Sequence, residues 1–221
     1  MELDTIAKEL LYSKSVIVSR DVNALLKLGY TLTRLALKAN LKVTIVDERG
    51  VASRYIPFEL LDKVRINNQL SDTCRGVEEQ EVRIVILPGN TKILKHCRSG
   101  RVIVLVNSLR LVETPGYTKF YLTRIRGQPV FYLRSPDKGI NTRMRFMDDY
   151  SIVVVSPTGD LGRAYELIKN YLATYGEITV KDAIVAISKE LSLDKKKARS
   201  LIVDLGRRGY IRIHKKRIEL L

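Results

Sequence analysis

Over about the first 155 residues the apolar positions switch between two periods. Helical spacing across Leu3–Leu11 gives way to the continuous apolar run Ser15-Val16-Ile17-Val18, which reads as a buried strand. Helical spacing returns over about Ala24–Ala39. Lys42–Val46 is the next strand, ending at Asp47-Glu48-Arg49-Gly50. Further strands are expected at Val82–Leu87, Arg101–Val106, Lys119–Arg126, Pro129–Arg134, about Thr142–Met147 and Ser151–Val155. Strand, helix, strand, then continuous apolar strands, predicts an α/β fold whose mostly parallel sheet is buried on both faces. Turn residues at Arg126-Gly127-Gln128 and Pro136-Asp137-Lys138-Gly139 divide the later strands, so that half should add antiparallel hairpins to the sheet.

From Gly159 the pattern turns helical again. Leu161, Ala164, Leu167, Ile168, Tyr171 and Leu172 recur at helical spacing, Asp160 is expected to cap the start, and Gly176 supplies a stop. A short Ile178-Thr179-Val180 segment follows, then a second helix from about Lys181 to Leu191. Ser192 and Asp194 are both candidate N-caps for a third helix, which runs to about Arg208 and buries Ala198, Leu201, Ile202 and Leu205. Tyr210–Ile213 alternates as a strand, His214-Lys215-Lys216 makes a tip, and Arg217-Ile218-Glu219-Leu220 returns. That order is the order of a winged helix-turn-helix domain, expected over 159–221. It is joined through about Ser156–Leu161 to an α/β domain over 1–158. The run Leu205-Gly206-Arg207-Arg208-Gly209-Tyr210-Ile211 resembles the passage from recognition helix to wing in many prokaryotic regulators.

Charge gives this pattern a direction. The 39 Lys and Arg against 24 Asp and Glu leave a net +15, which favours an anionic partner: nucleic acid or an acidic membrane surface. No apolar run approaches the roughly 20 residues that cross a bilayer, and Met1-Glu2-Leu3-Asp4 has no signal-peptide pattern, so a cytoplasmic protein is expected. Cys74 and Cys97 lack metal-ligand spacing and read as reduced thiols; His96 and His214 read as surface or loop residues. The absence of Trp and the wealth of Lys, Arg, Glu, Ile and Val lean thermophilic.

In the third C-terminal helix the buried stripe leaves Lys195, Lys196, Arg199 and Ser200 on the open face of its first turns. There a helix-turn-helix meets the major groove. Arg207, Arg208, Lys215, Lys216 and Arg217 crowd the end of that helix and the wing. These residues suit phosphate contact better than base readout. The alternative is a module that only docks other proteins. A second basic cluster (Lys119, Arg124, Arg126, Arg134, Lys138, Arg143, Arg145) falls in the hairpin region. Alternation there places Arg124 and Arg126 on one face near the turn, with Tyr117, Tyr121 and Tyr132 nearby. Such a basic, aromatic tip can track a backbone and stack bases. A solvated sheet face is the alternative.

The α/β portion resembles the RecA/RadA recombinase core at several points. "VTIVDERG" (Val43–Gly50) is similar to the RadA strand that ends in Asp-Thr-Glu-Gly, and Tyr55–Leu61 follows where RadA proteins carry Phe-Arg-Pro-Glu-Arg. "VIVLVNSLR" (Val102–Arg110) looks like the strand leading into their DNA-contacting loop, and Tyr117–Phe146 like their closing hairpin. The resemblance implies an ATPase fold, but the nucleotide machinery departs from it. A phosphate loop needs Gly-x-x-x-x-Gly-Lys-Ser/Thr, so that backbone amides wrap phosphate and Lys neutralises it. The matching stretch Ser19–Leu26 has no glycine, and Leu25 stands at the lysine position. The acid that would hold magnesium is absent from Ile84–Asn90. No cofactor is therefore expected.

The expectation is a non-enzymatic DNA-binding accessory protein of recombination or repair, an archaeal RadA-paralogue-like pseudo-ATPase with a winged helix. Duplex DNA is the expected partner, with single-stranded DNA, a recombinase ATPase and a second copy of the chain as further candidates. Three alternatives stay open: a transcription regulator whose α/β domain senses a ligand or dimerises, a metal-dependent nuclease or phosphoryl-transfer enzyme using Asp47 and Glu48 at a strand's C-terminal end, and a purely structural subunit of a larger complex.

Overall fold

The computed structural model describes residues 2–52, 56–69, 78, 80–89, 100–108 and 116–220. Tyr55, Cys74, Asn90, His96, Cys97, Leu109 and Arg110 lie outside the described residues. The chain divides into two compact units, Met1–Val155 and Ser156–Leu221.

The first unit is an α/β fold. Helix α1 (Glu2–Tyr12) precedes strand β1 (Ser15–Val18), helix α2 (Val22–Lys38) and strand β2 (Lys42–Val46). A short helix α3 (Phe58–Leu61) and strand β3 (Arg65–Asn67) come next, then β4 (Glu81–Ile86) and β5 (Arg101–Val106). The unit ends with β6 (Thr118–Arg124), β7 (Phe131–Ser135), β8 (Ile140–Phe146) and β9 (Ile152–Val154). All nine strands form one sheet, in the order β3-β2-β4-β5-β1-β6-β7-β8-β9. Pairings from β3 to β6 are parallel and those from β6 to β9 antiparallel, an arrangement compatible with a Rossmann- or RecA-like core.

Alternation along the parallel strands sorts their side chains into two apolar clusters. One holds Ile17, Ile45, Ile84, Leu105 and Phe120 with residues of α1 and α2. The other is a valine layer on the opposite alternation: Val16, Val18, Val46, Val85, Val104 and Val106. Both sets are buried, as continuous β-branched strands require. Helix α2 lies close on the sheet because Gly29 has no side chain; a Cβ there would come within 2.8 Å of Leu105 Cδ1. At the start of β4, Glu81 and Arg83 form a two-bond ion pair at 2.9 and 3.2 Å. Burial alone would raise the Glu81 carboxyl, but hydrogen bonds from Arg83 and Thr44 and the Arg83 charge hold it below the usual carboxylate range.

Two elements are not expected from the sequence. Strand β3 is three residues long and α3 four, too short to display a period, and among the described residues β3 pairs only with β2 at the sheet edge. Several expected strands differ from their patterns at their ends: Ser151–Val155 is observed as Ile152–Val154, Pro129–Arg134 as Phe131–Ser135 and Lys119–Arg126 as Thr118–Arg124. Lys119–Arg126 ends at Arg124, because Ile125 N–H donates to Val130 O at 2.8 Å and closes the turn there.

The second unit is three helices and a hairpin: α4 (Gly159–Tyr175), α5 (Val180–Glu190), α6 (Lys195–Arg207), β10 (Ile211–His214) and β11 (Arg217–Leu220). Its core is Ala164, Ile168, Ile184, Ile187, Ala198, Ile202, Leu205, Tyr210 and Ile218. The short Ile178–Val180 segment adds a third edge to the hairpin: Ile218 N–H donates to Ile178 O at 3.0 Å and Val180 N–H to Lys216 O at 2.9 Å. Asp160 does not cap α4. Thr158 occupies the cap position, and Asp160 sits in the first turn, paired with Arg163.

Candidate nucleic-acid interface

In the second unit the α5–α6 connection fixes how α6 is presented. Thr179 caps α5 by accepting from Asp182 N–H, and Ser188 Oγ donates to Leu193 O at 2.7 Å across the turn. Of the two N-cap candidates, Asp194 takes the position and accepts from Lys197 N–H at 2.8 Å, while Ser192 lies in the turn at φ 52°. An aspartate here also suits the positive end of the helix dipole, beside three consecutive lysines that do not.

Burial of Ala198, Ile202 and Leu205 leaves the other side of α6 in solvent. Lys195, Lys196, Arg199 and Ser200 are exposed together on its first two turns. Val203, 41% exposed, continues the same stripe. Arg207 and Arg208 are exposed at the other end, about 18 Å along the helix axis from Lys195. They form a separate group. The hairpin tip is Lys215-Lys216, both exposed and both in the left-handed region at φ 47° and 66°. Arg217 is already engaged: its Nη1 lies 2.8 Å from Glu177 Oε2.

Arg124 and Arg126 belong to the first unit and do not share a strand face. Arg124 ends β6, with its guanidinium 6.0 Å from the Phe131 ring centre, while Arg126 lies in the turn beyond the strand. Of the other cations in that region, Lys138 pairs with Glu9 at 2.9 Å and Arg143 is buried against the Tyr132 ring at 5.1 Å. Arg134 and Arg145 are exposed.

The RecA/RadA resemblance would put a phosphate loop in the turn between β1 and α2. That turn is only Ser19-Arg20-Asp21. Ser19 N–H donates to Val106 O, Ser19 Oγ accepts from Asp21 N–H, and Asp21 Oδ1 accepts from Ala24 N–H, each near 3.0 Å. The Asp21 carboxylate thus occupies the helix N-terminus, the place an oxyanion would take. Helical spacing of the apolar residues starts the helix at Ala24 and misses this cap, although Asp three residues before Ala24 is the usual cap spacing.

A cleft of about 680 Å³ opens at the carboxyl ends of β1, β5 and β6. Ser19, Arg20, Asn107, Tyr121, Thr123 and Arg124 are among its lining residues. The chain leaves β1 toward β2 on one side and enters β6 on the other, so this is the sheet's topological switch point, where open α/β folds place ligands. Nothing in the linear pattern joins these residues. They meet only through the strand order.

Asp47 and Glu48 do not stand side by side as a metal pair. Asp47 is 1% exposed, and its two oxygens accept from Arg49 and Ala52 N–H, organising the loop after β2. Glu48 is exposed and accepts from Gly89 N–H at 3.2 Å. Among the described residues, no group of three or more His, Cys, Asp or Glu is placed to hold a metal ion. No described helix is long and apolar enough to cross a membrane.

No protein-family model matches the chain, and no curated protein matches it in sequence.

Proposed function

We propose that this chain is a non-catalytic DNA-binding protein in which a winged helix grips duplex DNA. In this reading the α/β unit is a RecA-like relative without nucleotide chemistry, serving as an accessory factor in recombination or repair. The observation that carries the proposal is the cationic face of α6. Lys195, Lys196 and Arg199 are exposed on its first turns, and the opposite face is locked in the core by Ala198, Ile202 and Leu205. The recognition helix of a helix-turn-helix presents those turns to the major groove, and the Lys215-Lys216 tip would reach adjacent phosphate as the wing. The pseudo-ATPase part is supported by the three-residue β1–α2 turn and the Asp21 cap.

Salt-titrated binding to duplex DNA tests it. Changing Lys195, Lys196 and Arg199 together to Ala should weaken binding by at least tenfold at moderate salt. The slope of log affinity against log salt should fall by about 0.9 for each phosphate no longer neutralised. Duplex affinity insensitive to salt, or unchanged in the triple variant, overturns the reading.

A further inference from the structure

The β6–β9 extension has one face in the core and one outside it. Phe120, Leu122, Leu133 and Met144 fill the core side, each 0 or 1% exposed. On the other side the register aligns two rows across the strands: Tyr121, Arg134 and Asn141, then Thr123, Tyr132 and Arg143. Arg145 follows on β8, opposite Val153, and Lys119 precedes on β6. The face therefore carries Lys119, Arg134, Arg143 and Arg145, and β6–β9 place no carboxylate on it. Buried Arg143 stacks on Tyr132 and fixes that ring, while exposed Arg134 and Arg145 make no ion pair with a described carboxylate. Arg134 and Arg145 are separated by about 14 Å of sheet. At the β6 edge the same face runs into the switch-point cleft, which Tyr121 and Thr123 line together with Arg20 and Arg124.

We infer that this face is a binding platform for single-stranded nucleic acid, separate from the duplex grip proposed for the second unit. Tyrosines standing between arginines offer stacking surfaces to unpaired bases and cations to their phosphates, whereas the bases of a duplex are already stacked on one another. Arg134 and Arg145 hold the backbone, Tyr132 and Tyr121 take bases, and the cleft accepts the strand where it passes β6. An acidic protein segment would use the cations but would leave the rings without a role.

The test uses the full chain and oligo(dT), read by fluorescence anisotropy across a salt series, with duplex DNA in parallel. Arg134→Gln with Arg145→Gln should weaken oligo(dT) binding by about tenfold. It should also lower the salt slope by about 0.7 for each phosphate released, leaving duplex affinity unchanged. An abasic strand of the same length should bind several-fold more weakly than oligo(dT). The Lys195, Lys196 and Arg199 triple variant should keep its oligo(dT) affinity whether or not it loses duplex binding, so the two readings fail separately. The platform is overturned if the wild-type chain does not bind oligo(dT), if the double variant binds it as well, or if the triple variant abolishes it. Equal affinity for an abasic strand or for polyglutamate overturns it in favour of a general polyanion site.

Discussion

Tyr117 shows how one buried atom sets a pH limit. Its ring is packed in the valine layer, 7% exposed, and its hydroxyl has no hydrogen-bond partner among the described residues. Burial pushes its pKa up to about 12 from 10.0. The folded state thus keeps a proton that the unfolded chain releases at lower pH. The Tyr117 contribution is therefore intact well below pH 10 and erodes as pH rises from 10 to 12, the loss amounting to about 2 kcal/mol at the top of that window. Tyr117→Phe should remove this alkaline loss and cost little at neutral pH, since the hydroxyl it deletes is unsatisfied. Denaturant titrations of both proteins at pH 8 and pH 11.5 check it; equal alkaline losses would contradict it. The sequence reads Tyr117 as an aromatic beside a basic hairpin tip; its burial in the valine layer is not legible there, because that environment is assembled from strands distant in the chain. Asp21 is the contrasting case: its cap role is local and is legible from spacing alone.

Element by element, legibility follows length and context. Long amphipathic stretches such as α2 and α6, and continuous strands such as β1, β2 and β5, declare themselves through period alone. The edge strand β3 cannot, since three residues, two exposed and one half-buried, carry no alternation. The position of the Lys215-Lys216 turn is legible in the sequence, but its conformation is not. Two-residue hairpin turns with positive φ at both positions favour Asn-Gly, and a lysine pair there is strained by roughly 1 kcal/mol per residue or more. In the proposed duplex grip the same two lysines would supply phosphate contacts. Replacing Lys215 with Asn and Lys216 with Gly should raise the melting temperature of the unit by a few degrees while weakening duplex binding several-fold. Higher stability with unchanged affinity would remove the tip from the interface.

At the scale of the whole chain, the sequence reveals that an α/β part precedes a basic helical part, and that the phosphate-binding glycines and lysine are missing. It does not show how the turn in their place is anchored. Two of its contacts are local, Asp21 N–H to Ser19 Oγ and Ala24 N–H to Asp21 Oδ1, but the third, Ser19 N–H to Val106 O, needs the β1–β5 neighbour relation. The α2 N-terminus is internally satisfied by a carboxylate, so a nucleotide phosphate would have to displace a like-charged group and break the cap it makes. Magnesium ATP should accordingly leave thermal unfolding unchanged. The measurement is sensitive enough to decide: a site with a dissociation constant of about 10 µM, at about 1 mM nucleotide, would add about 2.7 kcal/mol, a shift of several degrees for a chain this size. Duplex DNA at a similar multiple of its dissociation constant should produce such a shift in the transition of the second unit. A shift with magnesium ATP would restore nucleotide binding to the α/β unit and remove the pseudo-ATPase half of the proposal, while the duplex grip would stand or fall on its own titration.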